Sequence, residues 1–154
     1  MVETFQQVKN SLSVKYSYIK DDEFDTGKRN LLNFGHCFGH ALETSSEYRI
    51  PHGIAVVIGM IFANLIAVKR GLLSKEKEQN LLHSILLDCI KCPLEKSYFD
   101  YKLILSAMKM DKKRVGTGLP LIVLQDNLEL QKLVDMTPEE LMWGMEELNR
   151  ILFA

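Results

Sequence analysis

A mainly α-helical, multi-helix bundle with at most one small β-hairpin is the fold this sequence predicts. Three observations carry that expectation. Apolar residues recur at three- and four-residue steps along most of the chain, which is the period of an amphipathic helix. The greasiest run, Gly53–Val68, falls short of the roughly 20 apolar residues a membrane span needs. It also contains Asn64 and stops at Lys69–Arg70, so a buried central helix is predicted. Only Leu121–Leu124 has the composition of a strand, with Leu128–Val134 as its partner across Asp126–Asn127.

The elements follow in order. Phe5, Val8, Leu12, Tyr16 and Ile19 mark an amphipathic opening helix, broken by the acidic segment Asp21–Asp22–Glu23 with Asp25 and Gly27. A second helix is expected from about Lys28 to Glu47, then a loop through Arg49–Ile50–Pro51 and the buried helix as far as Gly71. Ser74 is a candidate N-cap for a helix through Leu86. Cys92–Pro93 breaks the chain again, Tyr98–Met110 forms one more helix, and Gly116–Pro120 makes a loop. Thr137–Pro138–Glu139–Glu140 combines an N-cap, a proline at the first helical position and a capping-box glutamate. The closing helix turns Leu141, Met145, Leu148 and Ile151 inward.

At 154 residues, with 47% apolar and 25% charged residues, the chain suits one helical domain over residues 1–154 with a proper core. A formal net charge of −1 gives no basis for nucleic-acid or anionic-membrane binding. The N-terminus lacks a signal pattern, which makes the cytoplasm the expected location. Three cysteines are not a disulfide framework. Cys89–Ile90–Lys91–Cys92 has C-x-x-C spacing, but no second pair completes a zinc set and no thioredoxin-like unit surrounds it. The chain carries no glycine-rich dinucleotide loop, so no cofactor-binding residues are expected in it.

Three of the four histidines fall between positions 36 and 52. On a helix spanning Lys28–Glu47, Arg29, Asn33, His36, His40, Glu43 and Glu47 share one arc of roughly 80° at about 100° per residue. Leu31, Phe34, Phe38, Ala41 and Leu42 face the other way. A rod so largely apolar belongs inside a protein, and its narrow polar stripe must face a wet cleft or a metal. Gly35 and Gly39 each cost a helix up to about 1 kcal/mol relative to alanine. Their placement just before His36 and His40 predicts that another backbone or a ligand approaches closely. From spacing alone, His36 and His40 could share one metal, with His52 on a loop able to fold back.

The segment Lys28–Met60, KRNLLNFGHCFGHALETSSEYRIPHGIAVVIGM, resembles the signature of 3-dehydroquinate synthases and related sugar-phosphate cyclases, R-xxx-N-x-GH-xx-GHA-x-E followed by HG-xx-V-xx-GM. Lys15 and Asp22–Gly27 match that family upstream, and Asp111–Lys112–Lys113 with Gly116 matches its DKK-x-x-G loop. In that family a nicotinamide-binding α/β domain precedes a helical domain, so the resemblance implies the helical half alone. The missing NAD-binding domain becomes an expected partner, and the isolated chain is expected to be inactive. The resemblance makes His36 and His52 ligands of a divalent metal, zinc or cobalt, with a third ligand, a glutamate, upstream. It gives catalytic roles to His40, Asp25 and Lys15, with His40 handling protons and contacting phosphate. Arg29 and Asn33, with either Lys112 or Lys113, then bind a phosphorylated sugar-acid substrate.

The implied reaction is that of a carbon–oxygen lyase: bound NAD oxidises a hydroxyl, phosphate leaves by β-elimination, the ketone is reduced, and the ring opens and recloses. Asp25 stands where the family commonly has glutamate, Ile54 where many members carry glutamate after His-Gly, and Cys37 where threonine or serine is frequent. These departures bear on the substrate and keep open a cyclase of the inosose or valiolone type. A polyol dehydrogenase-like protein shares the general fold and is the other alternative, although its histidine spacing differs and it does not carry GH-xx-GH. The buried helix from Ile54 also offers a homodimer interface. Met108, Met110, Met136, Met142, Met145 and Trp143 are expected to pack rather than bind.

Overall fold

The computed structural model describes residues 2–20, 28–110 and 118–153, without the side chains of residues 2–4 and 28. These fall into two compact units, residues 1–33 and 34–154. In the first unit, α1 (Val2–Ile19) forms where the apolar periodicity predicts it. Its stripe nevertheless faces outward: Phe5, Val8, Leu12 and Tyr16 are all more than half exposed. A 3₁₀ turn over Lys28–Asn33 closes this unit, with the Asn33 side-chain amide donating to the Asn30 carbonyl at 3.1 Å.

The single helix expected from Lys28 to Glu47 is not formed. Gly35 adopts φ +79, a left-handed conformation that ends any right-handed helix and that glycine alone adopts freely. Only then does α2 (His36–Ser45) begin. Arg29 and Asn33 therefore do not share a helix with His36, and Glu47 lies beyond the helix end at φ 51. The cause is α3 (His52–Lys69), whose backbone crosses here. A Cβ on Gly35 would collide with the carbonyl oxygen of Val56. One on Gly39 would sit 3.0 Å from the Ala55 carbonyl oxygen, and one on Gly59 would overlap the carbonyl oxygen of Gly35. The glycines expected to admit a close neighbour admit the α3 main chain.

The second unit is built around α3. Eleven of its residues are buried, including Ile58, Ile61, Phe62 and Ile66, so the helix apolar enough to cross a membrane is the core of this fold. Phe62 stacks on Phe38 of α2 with ring centroids 4.1 Å apart. After Gly71, α4 (Lys75–Leu81) continues into a π-helical turn over Leu82–Leu86. A 3₁₀ turn over Lys96–Tyr98 precedes α5 (Tyr101–Met110), which buries Ile104 and Met108 and packs on α2.

The hairpin pairs β1 (Leu119–Leu124) with β2 (Leu130–Met136) in antiparallel register, Leu121 opposite Leu133 and Val123 opposite Gln131. It starts two residues earlier than expected. The ladder shifts register between Leu119 and Leu121, at Pro120, which has no N–H to pair. Ser74 does occupy the N-cap of α4, but its side chain makes no capping bond. The carboxylate of Asp126, at the hairpin tip, accepts from the Ser74 N–H at 2.7 Å instead.

The last helix, α6 (Pro138–Leu152), has the predicted capping box in full. It buries Leu141, Met145 and Leu148, while Ile151 is half-buried. Gly144 faces Phe62, where a Cβ would come within 3.1 Å of Ile66 Cδ1. Trp143 lies beneath the Lys69 ammonium, 4.1 Å from its ring centroid. Met108, Met136 and Met145 fill the core, whereas Met110 and Met142 are exposed. None of the three cysteines forms a disulfide.

Arg70, at the end of α3, locks these parts together. It donates to both carboxylate oxygens of Glu140 at 2.7 and 2.6 Å and to Asp135 at 2.7 Å. The guanidinium holds the Glu140 carboxyl below its ordinary 4.5 and the Asp135 carboxyl below its ordinary 3.8.

Two outcomes are expected from urea denaturation. Gly59→Ala destabilises by about 3 kcal/mol or more because backbone must move, whereas Gly53→Ala, with nothing within 4 Å among the described residues, is neutral or slightly stabilising. Arg70→Met costs roughly 1–3 kcal/mol near neutral pH. Because the carboxylate pKa values are depressed in the fold, this contribution is present above the ordinary carboxylate values and is lost as pH falls through the depressed ones. The gap between wild type and variant therefore narrows below about pH 4.

Candidate metal centre

His36 opens α2, His40 follows one turn later, and His52 is the first residue of α3. Ser46, Glu47 and Tyr48 turn the chain between the two helices, with Glu47 and Tyr48 at positive φ. This reversal is tied by the Tyr48 N–H donating to the Glu43 carbonyl at 2.8 Å and the Arg49 N–H to the Ser46 carbonyl at 3.0 Å. The glycine crossing sets how closely the two helices lie, and the reversal sets where the second begins. Together they bring the three imidazoles into one cluster.

The ring centroids form a nearly equilateral triangle: 5.4 Å from His36 to His40, 5.5 Å from His36 to His52 and 5.6 Å from His40 to His52. One ring nitrogen from each lies within 4.8 Å of those of the other two. His36 is half-buried, and His40 and His52 are exposed.

Two of these rings have their hydrogen placed by a partner. His36 Nδ1 lies 3.1 Å from the Phe34 carbonyl oxygen. A carbonyl only accepts, so Nδ1 carries the hydrogen and Nε2 keeps its lone pair. Burial, followed by the neighbouring His40 and His52, pushes the His36 pKa below 6.5 against the raising effect of the Phe34 carbonyl. The neutral, ligating form therefore prevails at neutral pH. His52 Nδ1 lies 3.2 Å from both carboxylate oxygens of Glu43. Among the described residues, no hydrogen bond holds the His40 ring.

Imidazole nitrogens suit zinc, cobalt and similar divalent ions. In a tetrahedral zinc site with bonds of about 2.0–2.1 Å, ligand nitrogens stand about 3.3 Å apart. The cluster thus fits a metal after small side-chain rotations that exposed rings can make. Beside it an open cavity of about 380 Å³ is lined by Cys37, His40, Ala41 and Thr44 of α2 and by Ala107 and Met110 of α5.

Lys15 is an exposed residue of α1, and Arg29 and Asn33 lie half-buried in the 3₁₀ turn, all within the first unit. Asp25, Lys112 and Lys113 lie outside the described residues. Glu43 was legible only as part of the predicted polar stripe and of the GHA-x-E pattern. Its contact with His52 depends on a chain reversal that no periodicity reveals.

Comparison with known proteins settles the family. Residues 2–114 match the family described as 3-dehydroquinate synthase C-terminal. The chain belongs to that family. It is 34% identical over 134 residues to the 3-dehydroquinate synthase of Corynebacterium diphtheriae, covering 87% of this chain and 37% of the relative. It is 42% identical over 118 residues to that of Dehalococcoides mccartyi, covering 77% and 32%. The chain spans about a third of the length of these curated relatives.

Two solved structures share the fold of this 3-dehydroquinate synthase C-terminal chain. One is a 2-epi-5-epi-valiolone synthase from Streptomyces hygroscopicus with NAD+ and Zn2+ bound (TM-score 0.80, 18% identity, 96% of this chain and 40% of the other). The other is a 2-deoxy-scyllo-inosose synthase complexed with carbaglucose-6-phosphate, NAD+ and Co2+ (TM-score 0.66, 24% identity, 90% and 39%).

Proposed function

We propose that the chain is the helical, metal- and substrate-binding part of a 3-dehydroquinate synthase-like carbon–oxygen lyase that cyclises a phosphorylated sugar acid with loss of phosphate. The meeting of His36, His40 and His52 within 4.8 Å, in a chain of this family, is the observation that carries the reading. His36 and His52 are the ligands, each offering an Nε2 lone pair. A zinc or cobalt ion held there supplies Lewis-acid polarisation of substrate oxygens. The third ligand and NAD, which supplies transient oxidation of a substrate hydroxyl, belong to the cofactor domain of the longer protein.

His40 is left as the proton carrier. Its ring is exposed, without a hydrogen bond among the described residues, and lines the open cavity. Imidazole ionises near neutral pH, so it can take up the proton lost beside a ketone and return one as phosphate departs. Lys15 and Asp25 act with it, and Arg29 and Asn33, with one of Lys112 and Lys113, hold the anionic substrate by charge-assisted hydrogen bonds. The reading also keeps a cytoplasmic homodimer, whose interface would include the partly exposed Ile54 of α3.

One observation favours a second reading, a cyclase acting on a different phosphorylated sugar. Ile54, half-buried against the core, stands next to His52-Gly53 where many dehydroquinate synthases carry glutamate, so the segment after His52 lacks that carboxylate.

Cobalt titration followed by visible absorption tests the ligand set. Affinity is expected to fall at least about tenfold in His36→Ala and in His52→Ala, and to change far less in His40→Ala. An equal loss in all three makes His40 a ligand and overturns its assigned role. For the reaction, the full-length gene product should release phosphate from a phosphorylated sugar acid without net NADH. Net NADH from a polyol defeats the lyase reading, and phosphate released only from a sugar phosphate without a carboxylate establishes the second reading.

A further inference from the structure

We infer that Glu43 is the positioning residue of the metal centre: its carboxylate fixes the His52 imidazole as the Nδ1–H tautomer and aims Nε2 at the ion. The inference rests on His52 being a ligand. Both carboxylate oxygens of Glu43 lie 3.2 Å from His52 Nδ1, so one N–H is shared between two acceptors. Glu43 is only 13% exposed and His52 57%, so a ring with room to turn is held by a side chain with little.

The backbone anchors the holder. The Glu43 carbonyl accepts from the Tyr48 N–H at 2.8 Å and from Ser46 Oγ at 3.1 Å. Glu43 therefore ties down the chain reversal with its main chain and the first residue of α3 with its side chain. The carboxylate itself stays outside the cluster of converging ligand atoms, which comprises His36, His40 and His52.

The two rings assigned as ligands thus differ in how they are aimed. The His36 orientation rests on a main-chain carbonyl, Phe34 O, which no substitution removes. That of His52 rests on one replaceable side chain. A carboxylate behind a ligating histidine fixes the tautomer and raises ring basicity, and its loss typically weakens metal binding 10–100-fold.

The test uses the 154-residue chain and two readouts. Long-range ¹H–¹⁵N correlation spectra of the metal-free protein should show His52 with its hydrogen on Nδ1. Glu43→Ala should lose that preference and leave His36 unchanged as an internal check on folding. Glu43→Gln, whose amide oxygen still accepts, should keep it. Cobalt affinity should fall 10–100-fold in Glu43→Ala, with a shifted visible spectrum, and should largely return in Glu43→Gln. A wild-type His52 with its hydrogen on Nε2 overturns the inference without any variant, and so does a folded Glu43→Ala that binds cobalt as tightly as wild type. Cobalt binding indifferent to both His36→Ala and His52→Ala defeats the metal-centre reading itself, whereas indifference confined to Glu43→Ala defeats only the role given to Glu43.

Discussion

Everything at the candidate site depends on two helices whose main chains touch. Gly59 of α3 faces the Gly35 carbonyl and the Gly39 N–H, and Gly39 faces Ala55, so the crossing has no room for side chains at its centre. Helices that pack through ordinary residues stand 8–10 Å apart, and any added thickness would carry the start of α3 away from the start of α2. Missing methyl groups in the core thus set the distances between imidazoles at the surface. The helix-propensity cost of Gly39 and Gly59, up to about 1 kcal/mol each, is offset by the burial that the approach permits, including the Phe38–Phe62 stack.

The polar interactions of the second unit are arranged around the two ends of the same rod. At one end of α3, Arg70 gathers Glu140 and Asp135 and fastens the hairpin and α6 to the core. At the other end, His52 is met by Glu43. The first set is structural: it joins elements distant in sequence through a half-buried guanidinium whose hydrogen bonds are all charge-assisted. The second contact is local and orients a ring without adding to the core. A single buried helix thus has a fastening at its far end and a chemical group at its near one.

Much of this was legible in the sequence because the signals were periodic or locally chemical. The buried helix, the capping box at Thr137–Glu140, the hairpin turn and the glycines before His36 and His40 each depend on residues close together in the chain. The break at Gly35 was not legible. Glycine is tolerated both inside a helix and at its end, and the choice was made by the Val56 carbonyl of another element. The helical wheel consequently grouped Arg29 and Asn33 with the histidines on a rod that does not exist, although it correctly set His36, His40 and Glu43 on one face. Periodicity on α1 identified the helix but could not say whether its apolar stripe is covered, and Phe5, Val8, Leu12 and Tyr16 are exposed. The strand start at Leu119 was hidden because Pro120 reads as a breaker until a bulge accommodates it.

The reversal between α2 and α3 constrains how this segment can vary. Glu47, Tyr48 and Arg49 all present their side chains to solvent, so their identities are free to drift wherever the left-handed backbone can be kept. Their number is not. The glycine seam fixes where α3 begins, so an added or deleted residue has to be absorbed within the reversal, at the expense of the hydrogen bonds from the Tyr48 N–H to the Glu43 carbonyl and from the Arg49 N–H to the Ser46 carbonyl. This loop is therefore expected to accept substitutions while rejecting insertions and deletions, the reverse of what surface connections usually tolerate.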